Sequence, residues 1–233
     1  MNMSGNTILI TGGATGIGYA MANYFHKRGN TIIICGRRED RLAQAARELQ
    51  GIHTIKCDVT DPDDRNLLLG YIQDHFPGLN LLINNAGIQC DIDLTQGVTD
   101  LNRSGDEIKV NLEAPIYLSA LFTPLLAGND HATIVNVSSG LAFMAERAIG
   151  TPVYNATKAG LHTFSLAQRK QLEPLGIRVV EIIPPMVESG LNPEGRKKRN
   201  VMKSPYMISS EEFAESVLAK MEQDADEIRW EKS

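Results

Sequence analysis

Tyr154 and Lys158 have the side chains and the spacing that proton transfer requires. Four residues apart on a helix, they would lie on one face, one turn from each other. An ammonium group beside a phenol favours the phenolate and lowers a pKa that is ordinarily near ~10, so that a tyrosine can exchange a proton at neutral pH. The same spacing is also typical of a solvated helix face, and the rest of the chain has to decide between the two interpretations.

A glycine-rich segment near the start of the chain has the context of a dinucleotide-binding loop. The β-branched run at residues 7–10 predicts a strand, and a helical pattern begins at Ile17. Between them the spacing is Gly-x-x-x-Gly-x-Gly, at Gly12, Gly16 and Gly18. Glycines let the backbone approach a pyrophosphate closely, and the helix N-terminus offers N–H groups and a favourable dipole. By itself a glycine turn remains a weak signal.

The second predicted strand, residues 31–35, ends at Gly36, Arg37 and Arg38. In dinucleotide-binding folds an acidic residue at this place binds the ribose hydroxyls, whereas an arginine accommodates a 2′-phosphate. The nearest acid, Glu39, already belongs to the next predicted helix. This arrangement favours NADP, and the alternative is that both arginines are solvated residues at a helix start.

Strands and helices alternate along the rest of the chain. The further predicted strands lie at residues 52–56, 79–83, 133–137, 178–183 and 227–230, and the helices at 39–49, 62–75, 105–126, 152–173 and 210–221. This alternation predicts an α/β fold with a Rossmann-like, doubly wound parallel sheet of six to seven strands in three layers. We find no linker or repeat, so residues 1–233 are expected to form a single domain.

Five strand ends carry small, polar or glycine-rich segments. They are residues 11–18, 36–37, 58–59, 84–87 and 138–140. In a doubly wound sheet the carboxyl ends of the strands meet at one edge, where ligands bind. These five segments are therefore expected to line one crevice.

These motifs, in this order, resemble the short-chain dehydrogenases/reductases in their small single-domain form. The resemblance covers residues 7–189 and is carried by Thr-Gly-x-x-x-Gly-Ile-Gly at 11–18, Asn-Asn-Ala-Gly at 84–87, Asn111, Ser138-Ser139 and Tyr-x-x-x-Lys at 154–158. The stretches at 85–89, 117–124, 139–143 and 184–187 are similar to a bacterial subgroup labelled as associated with D-alanyl esterification of teichoic acid. That label is one of gene neighbourhood, and no substrate follows from it.

The resemblance implies a catalytic tetrad and a nicotinamide cofactor. Tyr154 would be the general acid/base, Lys158 would lower its pKa and bind the nicotinamide ribose, Ser139 would hold the substrate oxygen, and Asn111 would support a proton-relaying water. The substrate would be a small carbonyl compound or secondary alcohol, and NADP(H) would be preferred, with NAD(H) not excluded. The implied cofactor contacts are Gly12, Thr15, Gly16, Ile17, Gly18, Arg37, Asp58, Val59, Asn85, Ala86, Gly87, Tyr154, Lys158, Val187 and Ser189.

Several of these roles have alternatives. Ser138 instead of Ser139 could be the hydrogen-bonding serine, and Asp58 could cap the next helix. Asn85 could link neighbouring strands, and Asn111 could be a surface or capping residue. His162, one turn beyond Lys158, is expected to be solvated or packed and not to act as a base.

The substrate side departs from the family pattern. Pro184-Pro185 stands where a Pro-Gly pair is usual, and Pro185 has no N–H to offer a cofactor. An apolar pocket wall is expected from Leu141, Phe143 and Met144 after the serines and from Met186 and Val187 after the prolines. Residues 186–208 correspond to the substrate lid, and the basic run at 196–199 is either a solvated loop or a recognition element for an anionic substrate.

Composition bounds the remaining possibilities. The 233 residues carry a net charge of −5, which argues against nucleic acid or anionic membrane as a partner. No signal peptide or membrane span is apparent, and Cys35, Cys57 and Cys90 form no Cys-x-x-Cys pair, so we expect a cytoplasmic protein without a metal site. The family suggests a homodimer or homotetramer. A cofactor-binding sensor or scaffold without turnover is the alternative function, and a sugar-nucleotide epimerase would need more C-terminal chain.

Overall fold

Runs of aliphatic and β-branched residues form the strands of a parallel sheet in the computed structural model, which describes residues 2–102, 106–144, 146, 149–198 and 207–230. The strands are β1 Thr7–Thr11, β2 Thr31–Gly36, β3 His53–Lys56, β4 Leu81–Asn84, β5 Thr133–Val137, β6 Arg178–Ile183, β7 Val187–Glu188, β8 Ile208–Ser209 and β9 Glu227–Arg229. The main sheet has the order β3-β2-β1-β4-β5-β6-β9, and β7 and β8 form a separate pair.

Helices cover both faces of this sheet. They are α1 Gly16–His26, α2 Glu39–Glu48, α3 Pro62–His75, α4 Val98–Leu101, α5 Ala114–Leu126, α6 Pro152–Leu172, α7 Pro193–Lys198 and α8 Ser210–Glu222. Alternate strand residues point to opposite faces. Ile8 and Ile10 pack with α1, α2 and α8, whereas Leu9 packs with α3 and α5. The predicted three-layer, doubly wound α/β fold is thus confirmed.

The order in which the chain adds strands to the sheet reverses between β1 and β4. Chain order runs outward from β1 through β2 to β3 on one side, and from β4 through β5 and β6 to β9 on the other. In a sheet of this topology the crevice outside the carboxyl ends of the two central strands is the place for a ligand. The topology therefore positions the predicted site at the ends of β1 and β4.

The helix predicted at residues 105–126 is irregular at its start. Lys109–Glu113 form a π-helix, and the α-helix α5 begins only at Ala114. Pro115 has no N–H for a carbonyl one turn back, and the backbone widens directly before it. The π-helix contains Asn111, so this irregularity lies at a residue of the predicted site.

The polypeptide between β6 and α8 contains a pairing that the sequence did not predict. Val187 pairs with Ile208, and Glu188 with Ser209, which joins the two ends of the segment predicted as a lid. The remainder of that segment includes α7, while residues 199–206, with the last residue of the basic run, lie outside the described residues.

Within the part of the chain that the structure describes, no helix is both long enough and apolar enough to cross a membrane.

The start of α3 offers a test of the fold. The Asp61 carboxylate accepts hydrogen bonds from the backbone N–H groups of Asp63 and Asp64. Loss of such a cap costs about 1 kcal/mol, so we expect Asp61→Ala to lower the free energy of unfolding by about that amount in urea titrations. Asp63→Ala is the matched control, because this exposed carboxylate contributes only through the helix dipole, about 0.3 kcal/mol. Equal losses in the two variants would contradict the capping role.

Candidate active site

A cavity of about 860 Å³ opens at the carboxyl ends of the strands. Most residues predicted for the site line it: Gly12, Thr15, Ile17, Gly18, Arg37, Asp58, Val59, Asn85, Ala86, Gly87, Ser139, Leu141, Tyr154, Lys158, Met186, Val187 and Ser189. Gly16, Asn111 and Phe143 are not among the lining residues. The strand ends therefore converge as the topology requires.

The glycine loop is packed too tightly for side chains. Gly12 has a φ of +64°, and a Cβ built on it would lie 2.9 Å from the Cα of Ala86. A Cβ on Gly18 would lie 2.4 Å from Nδ2 of Asn85, and one on Gly16 2.7 Å from the carbonyl oxygen of Ser189. Gly16 thus lies behind the lining, against Ser189. These contacts require glycine at all three positions.

The N-terminus of α1 faces the cavity with its backbone donors available. Thr15 is the N-cap residue, and its side chain makes no capping hydrogen bond. The first N–H groups of a helix have no intrahelical partner, and together with the helix dipole they attract anions. The glycine cradle and this helix end fit the pyrophosphate of a dinucleotide.

Asn85 holds two strand ends together. Its backbone N–H and that of Ala86 both donate to Oγ1 of Thr11, each at 3.0 Å. The Asn85 side-chain amide donates to the Thr11 carbonyl oxygen at 2.9 Å. The side chain is therefore used to join β1 to the end of β4, which corresponds to the structural alternative for this residue.

The ends of β2 and β3 bring two arginines and an aspartate to one side of the cavity. Arg37 Nη1 lies 3.8 Å from the Asp58 carboxylate, and Arg38 Nη2 donates to Oγ1 of Thr15 in the glycine loop. Burial raises the pKa of Asp58, but hydrogen bonds from Thr60 and the charge of Arg37 outweigh it and lower the pKa overall. Asp58 does not cap α3, because Asp61 has that role.

Lys158 is buried beside Tyr154 at the centre of the cavity. Its Nζ donates to the carbonyl oxygen of Val137 at 2.8 Å and lies 5.9 Å from the centre of the Tyr154 ring. Both side chains are more than nine-tenths buried. Burial lowers the pKa of Lys158 to about 8, although the negative charge of Glu181 opposes this shift. The pair therefore does not lie on a solvated helix face.

The two serines after β5 have different environments. Ser138 Oγ donates to the buried carboxylate of Glu181 at 2.5 Å. Ser139 Oγ instead accepts a hydrogen bond from the N–H of Leu141 at 3.2 Å, which leaves its hydroxyl hydrogen for another acceptor. Of the two, Ser139 is the one whose hydroxyl can serve a ligand in the cavity.

Asn111 lies behind the cavity wall. Its Oδ1 accepts from the N–H of Ile88 and its Nδ2 donates to the Ile88 carbonyl oxygen, at 2.9 and 2.8 Å. A second, longer contact runs from Nδ2 to Oγ1 of Thr157 on α6. The side chain is fully buried and fixes the segment after β4 against α6, so it is not a surface residue.

The far end of the cavity is mainly apolar. Leu141 and Met186 lie there as predicted, and Phe143 does not. Its ring packs edge-on against His162, with centroids 4.6 Å apart, because the chain after Ser139 turns as a 3-10 helix over Gly140–Phe143. The lining also includes residues for which no role was predicted, among them Gln89, Thr151, Leu191 and Asn192. Gln89 stands two residues after the Asn-Asn-Ala-Gly motif, within the stretch at 85–89, and this position is the signal that could have identified it.

Two backbone hydrogen bonds anchor the start of the lid segment. The Pro184 carbonyl oxygen accepts from the N–H of Gly140 at 2.8 Å, and the Met186 carbonyl oxygen accepts from the N–H of Ile208 at 3.2 Å. Pro184 therefore contributes an acceptor to this part of the site, and neither proline has an N–H to donate. Ser189 follows directly and lines the cavity beside the glycine loop.

Comparison with protein families identifies relatives across most of the chain. The short chain dehydrogenase family matches residues 6–200. The chain is 47% identical over 228 residues to the uncharacterized oxidoreductase DltE of Bacillus subtilis (strain 168), a match that covers 98% of the chain and 89% of that protein. An uncharacterized oxidoreductase of Staphylococcus aureus (strain N315) is 28% identical, with 92% and 90% covered.

Solved structures with the same architecture contain nicotinamide cofactors. A short-chain dehydrogenase from Sphingobium yanoikuyae in complex with NADPH is 26% identical, with a TM-score of 0.82 over 96% of this chain and 87% of the other. A short-chain dehydrogenase/reductase from Burkholderia phymatum in complex with NAD is 20% identical, with a TM-score of 0.87 over 98% and 90%. The latter likeness supports the fold alone.

The burial of Lys158 predicts a pH-dependent cost in stability. Below pH 8 the lysine is charged in the folded and the unfolded chain, and the folded chain bears the full cost of the buried charge. Above pH 8 the folded lysine loses its proton first, so the cost declines until about pH 10.5, the ordinary pKa. We expect the difference in the free energy of unfolding, Lys158→Met minus native, to be largest at pH 7 and to decrease between pH 8 and 10.

Urea unfolding at pH 7, 9 and 10 measures this difference. Lys170→Met is the control, because Lys170 lies on the same helix with its side chain 80% exposed. Its stability difference should not change over this range. A pH-independent difference for Lys158→Met would contradict the burial argument.

Proposed function

The chain belongs to the short-chain dehydrogenase/reductase family and is an oxidoreductase, and from this premise we propose that it transfers a hydride between NADP(H) and a carbonyl compound or secondary alcohol, with Tyr154 as general acid/base. The observation that carries the proposal is that Tyr154, Lys158 and Ser139 line the same cavity as the glycine loop. A sensor without turnover would have no use for a buried cation beside a buried phenol, since both are costly to desolvate.

The bound cofactor would supply or accept the hydride. During reduction Tyr154 donates its phenolic proton to the substrate oxygen, and during oxidation it accepts the proton of the alcohol. The ammonium group of Lys158 favours the phenolate that remains after donation. Ser139 and Tyr154 both offer hydroxyl hydrogens to the developing negative charge on the oxygen.

The proposed role of Asn111 is indirect, because its side chain lies behind the cavity wall. It holds the Ile88 backbone against α6, and a Cβ added to neighbouring Gly87 would lie 3.4 Å from Asn111 Oδ1 and 3.8 Å from Lys158 Nζ. The amide oxygen and the lysine therefore lie on the same side of this backbone. A water between them is the proposed route by which Lys158 recovers a proton from solvent.

The cofactor would lie along the carboxyl ends of β1, β2 and β4. The backbone donors at the start of α1 would hold the pyrophosphate, and Asp58 and Val59 would border the adenine. Arg37 and Arg38 support the preference for NADP(H), because two guanidinium groups on this side of the cavity complement a 2′-phosphate. The complex of the Sphingobium relative with NADPH is consistent with this preference.

The proposed substrate is a small, uncharged carbonyl compound with an apolar substituent. Leu141, Met144, Met186 and Leu191 line the end of the cavity beyond Ser139. Apart from Lys158, the cationic side chains among the described lining residues are those of Arg37 and Arg38, and they lie at the opposite end of the cavity. Residues 186–208 would close over this end as a lid, within a single domain that comprises residues 1–233.

The proposed assembly is a homodimer or homotetramer built through α5 and α6. Tyr117 on α5 and Leu166 on α6 are large side chains that remain half exposed, at 50% and 42%. Covering such residues stabilises association. Light scattering of the purified protein measures the assembly directly.

A panel of aldehydes, ketones and secondary alcohols tests the proposed reaction. Each compound is mixed with the protein and with NADPH, NADH, NADP or NAD, and absorbance at the reduced-nicotinamide band is followed. We expect turnover with at least one apolar carbonyl compound or alcohol. Tight cofactor binding without turnover across the panel would favour the sensor or scaffold alternative.

Substitution of Tyr154 separates catalysis from cofactor binding. Tyr154→Phe removes the proton donor but keeps the ring, so we expect kcat to fall at least about a hundredfold. The dissociation constant for NADPH, measured by fluorescence titration, should remain unchanged. Tyr71→Phe makes the same chemical change at a half-exposed side chain of α3, away from the cavity, and should retain full activity. Substantial turnover by Tyr154→Phe would mean that another group transfers the proton.

Substitution of Arg37 tests the cofactor preference. We expect the native protein to bind NADPH more tightly than NADH, and Arg37→Ala to weaken NADPH binding roughly tenfold to a hundredfold, because it removes a charged hydrogen bond to the 2′-phosphate. Binding of NADH should not change. Arg41→Ala is the control, since this arginine of α2 pairs with Asp40 and is not a lining residue. Equal or tighter binding of NADH by the native protein would refute the preference.

A further inference from the structure

A fully buried carboxylate lies in the middle of strand β6. Glu181 has no exposed surface, and its neighbours along the strand, Val180 and Ile182, are equally buried in the core. An aliphatic residue would be expected in such a strand, and a charge there is costly unless it is hydrogen-bonded and paired. The position therefore calls for a physical reason beyond packing.

Both oxygens of this carboxylate have partners. Oε1 accepts from the hydroxyl of Ser138 at 2.5 Å, and Oε2 lies 2.7 Å from Nδ1 of His162. His162 is partly exposed, and its ring packs against Phe143 on the turn that follows Ser139. Glu181 is thus held between the end of β5 and the solvent-facing side of α6.

The same groups adjoin the proton-transfer centre. Ser138 directly follows Val137, whose carbonyl oxygen accepts the hydrogen bond from Lys158. His162 lies one turn beyond Lys158 on α6, on the stripe that begins with Tyr154. Glu181 is therefore bound to the end of the strand whose carbonyl group Lys158 contacts, and its negative charge favours the charged form of the lysine.

Other charged groups near Glu181 are compensated. Glu227 is its register neighbour on β9, and its carboxylate lies within 4.8 Å of the Glu181–His162 pair. Arg229 of the same strand binds Oε1 of Glu227 at 2.9 Å and stacks on Phe143. Lys158 and His162 are the titratable groups that face Glu181 from α6, and the turn over Gly140–Phe143 contributes no charged group.

We propose that Glu181, held by Ser138 and His162, is a positioning residue that keeps Lys158 charged up to a higher pH than the burial of the lysine alone would allow. A lysine is charged below its pKa, and an anion nearby extends that range upward, whereas burial shortens it. Burial lowers the pKa of Lys158 to about 8, and Glu181 opposes the shift. Without Glu181 the lysine would lose its charge at a lower pH. The consequence for turnover rests on the proposed function, while the charge of Lys158 does not.

Nuclear magnetic resonance of protein labelled with ¹³C at the lysine Cε position measures that charge without turnover. The Lys158 signal is assigned by its absence in Lys158→Arg and is followed from pH 6 to 11. We expect Glu181→Gln, which removes the charge but keeps the shape, to lower the Lys158 titration midpoint by roughly one pH unit. Glu227→Gln is the matched control, because this neighbouring carboxylate is exposed and neutralised by Arg229.

An unchanged Lys158 midpoint in folded Glu181→Gln would overturn the proposal, as would an equal shift in Glu227→Gln. If Glu181→Gln does not fold, Glu181→Asp and Glu181→Asn provide a second pair of equal size that differs only in charge. The midpoint should be higher in the aspartate variant than in the asparagine variant. Equal midpoints in this pair would likewise overturn the proposal.

Kinetics then connect the charge with the reaction. We expect the high-pH limb of the kcat/KM profile for reduction to move to lower pH in Glu181→Gln and to return toward the native position in Glu181→Asp. A purely structural role would lower kcat/KM at all pH values without moving this limb. Absence of turnover in the native protein would refute the proposed function, and the lysine titration would still decide the role of Glu181.

Discussion

The arrangement of the site depends on the burial of one ammonium group, that of Lys158. Strand β4 pairs with β5 only as far as Asn136, so the carbonyl group of Val137 is open to a side chain from outside the sheet. Lys158 reaches it from α6 and is removed from water almost completely. This contact brings the first turns of α6, and with them Tyr154, against the end of β5. A shorter or uncharged side chain at this position could not make the same connection.

A second constraint is the lack of space around the glycine loop. Gly12 packs against Ala86, Gly18 against Asn85 and Gly16 against Ser189, at distances that exclude a Cβ. The loop therefore fits simultaneously against the end of β4 and the beginning of the lid segment. This contact explains the spacing of the motif: Gly12 ends β1 with a positive φ, while Gly16 and Gly18 lie in the first turn of α1.

The parts of the fold that depend on local patterns could be predicted from the sequence, and those that depend on distant partners could not. Short β-branched runs mark the strands, and topology alone brings their ends together. The π-helix at Asn111 and the pairing of β7 with β8 depend on tertiary context. The distinction between Ser138 and Ser139 depends on Glu181, more than forty residues away in the chain. Phe143 fails to reach the cavity because the turn after Ser139 is a 3-10 helix, whose side-chain directions spacing alone does not specify.

The two prolines after β6 connect the tightly packed parts of the site. Pro184 offers its carbonyl oxygen to Gly140, so the turn that carries Ser139 is tied to the end of β6. Pro185 cannot donate a hydrogen bond, and its fixed φ stiffens the backbone between this tie and the Met186–Ile208 contact. The chain then reaches Ser189, against Gly16. The serine turn, the lid segment and the glycine loop are thus joined through one short, stiff stretch of backbone. A displacement of any one of them has to be accommodated by the other two, so the chemistry at Ser139 and the binding of a dinucleotide at the glycine loop are mechanically linked.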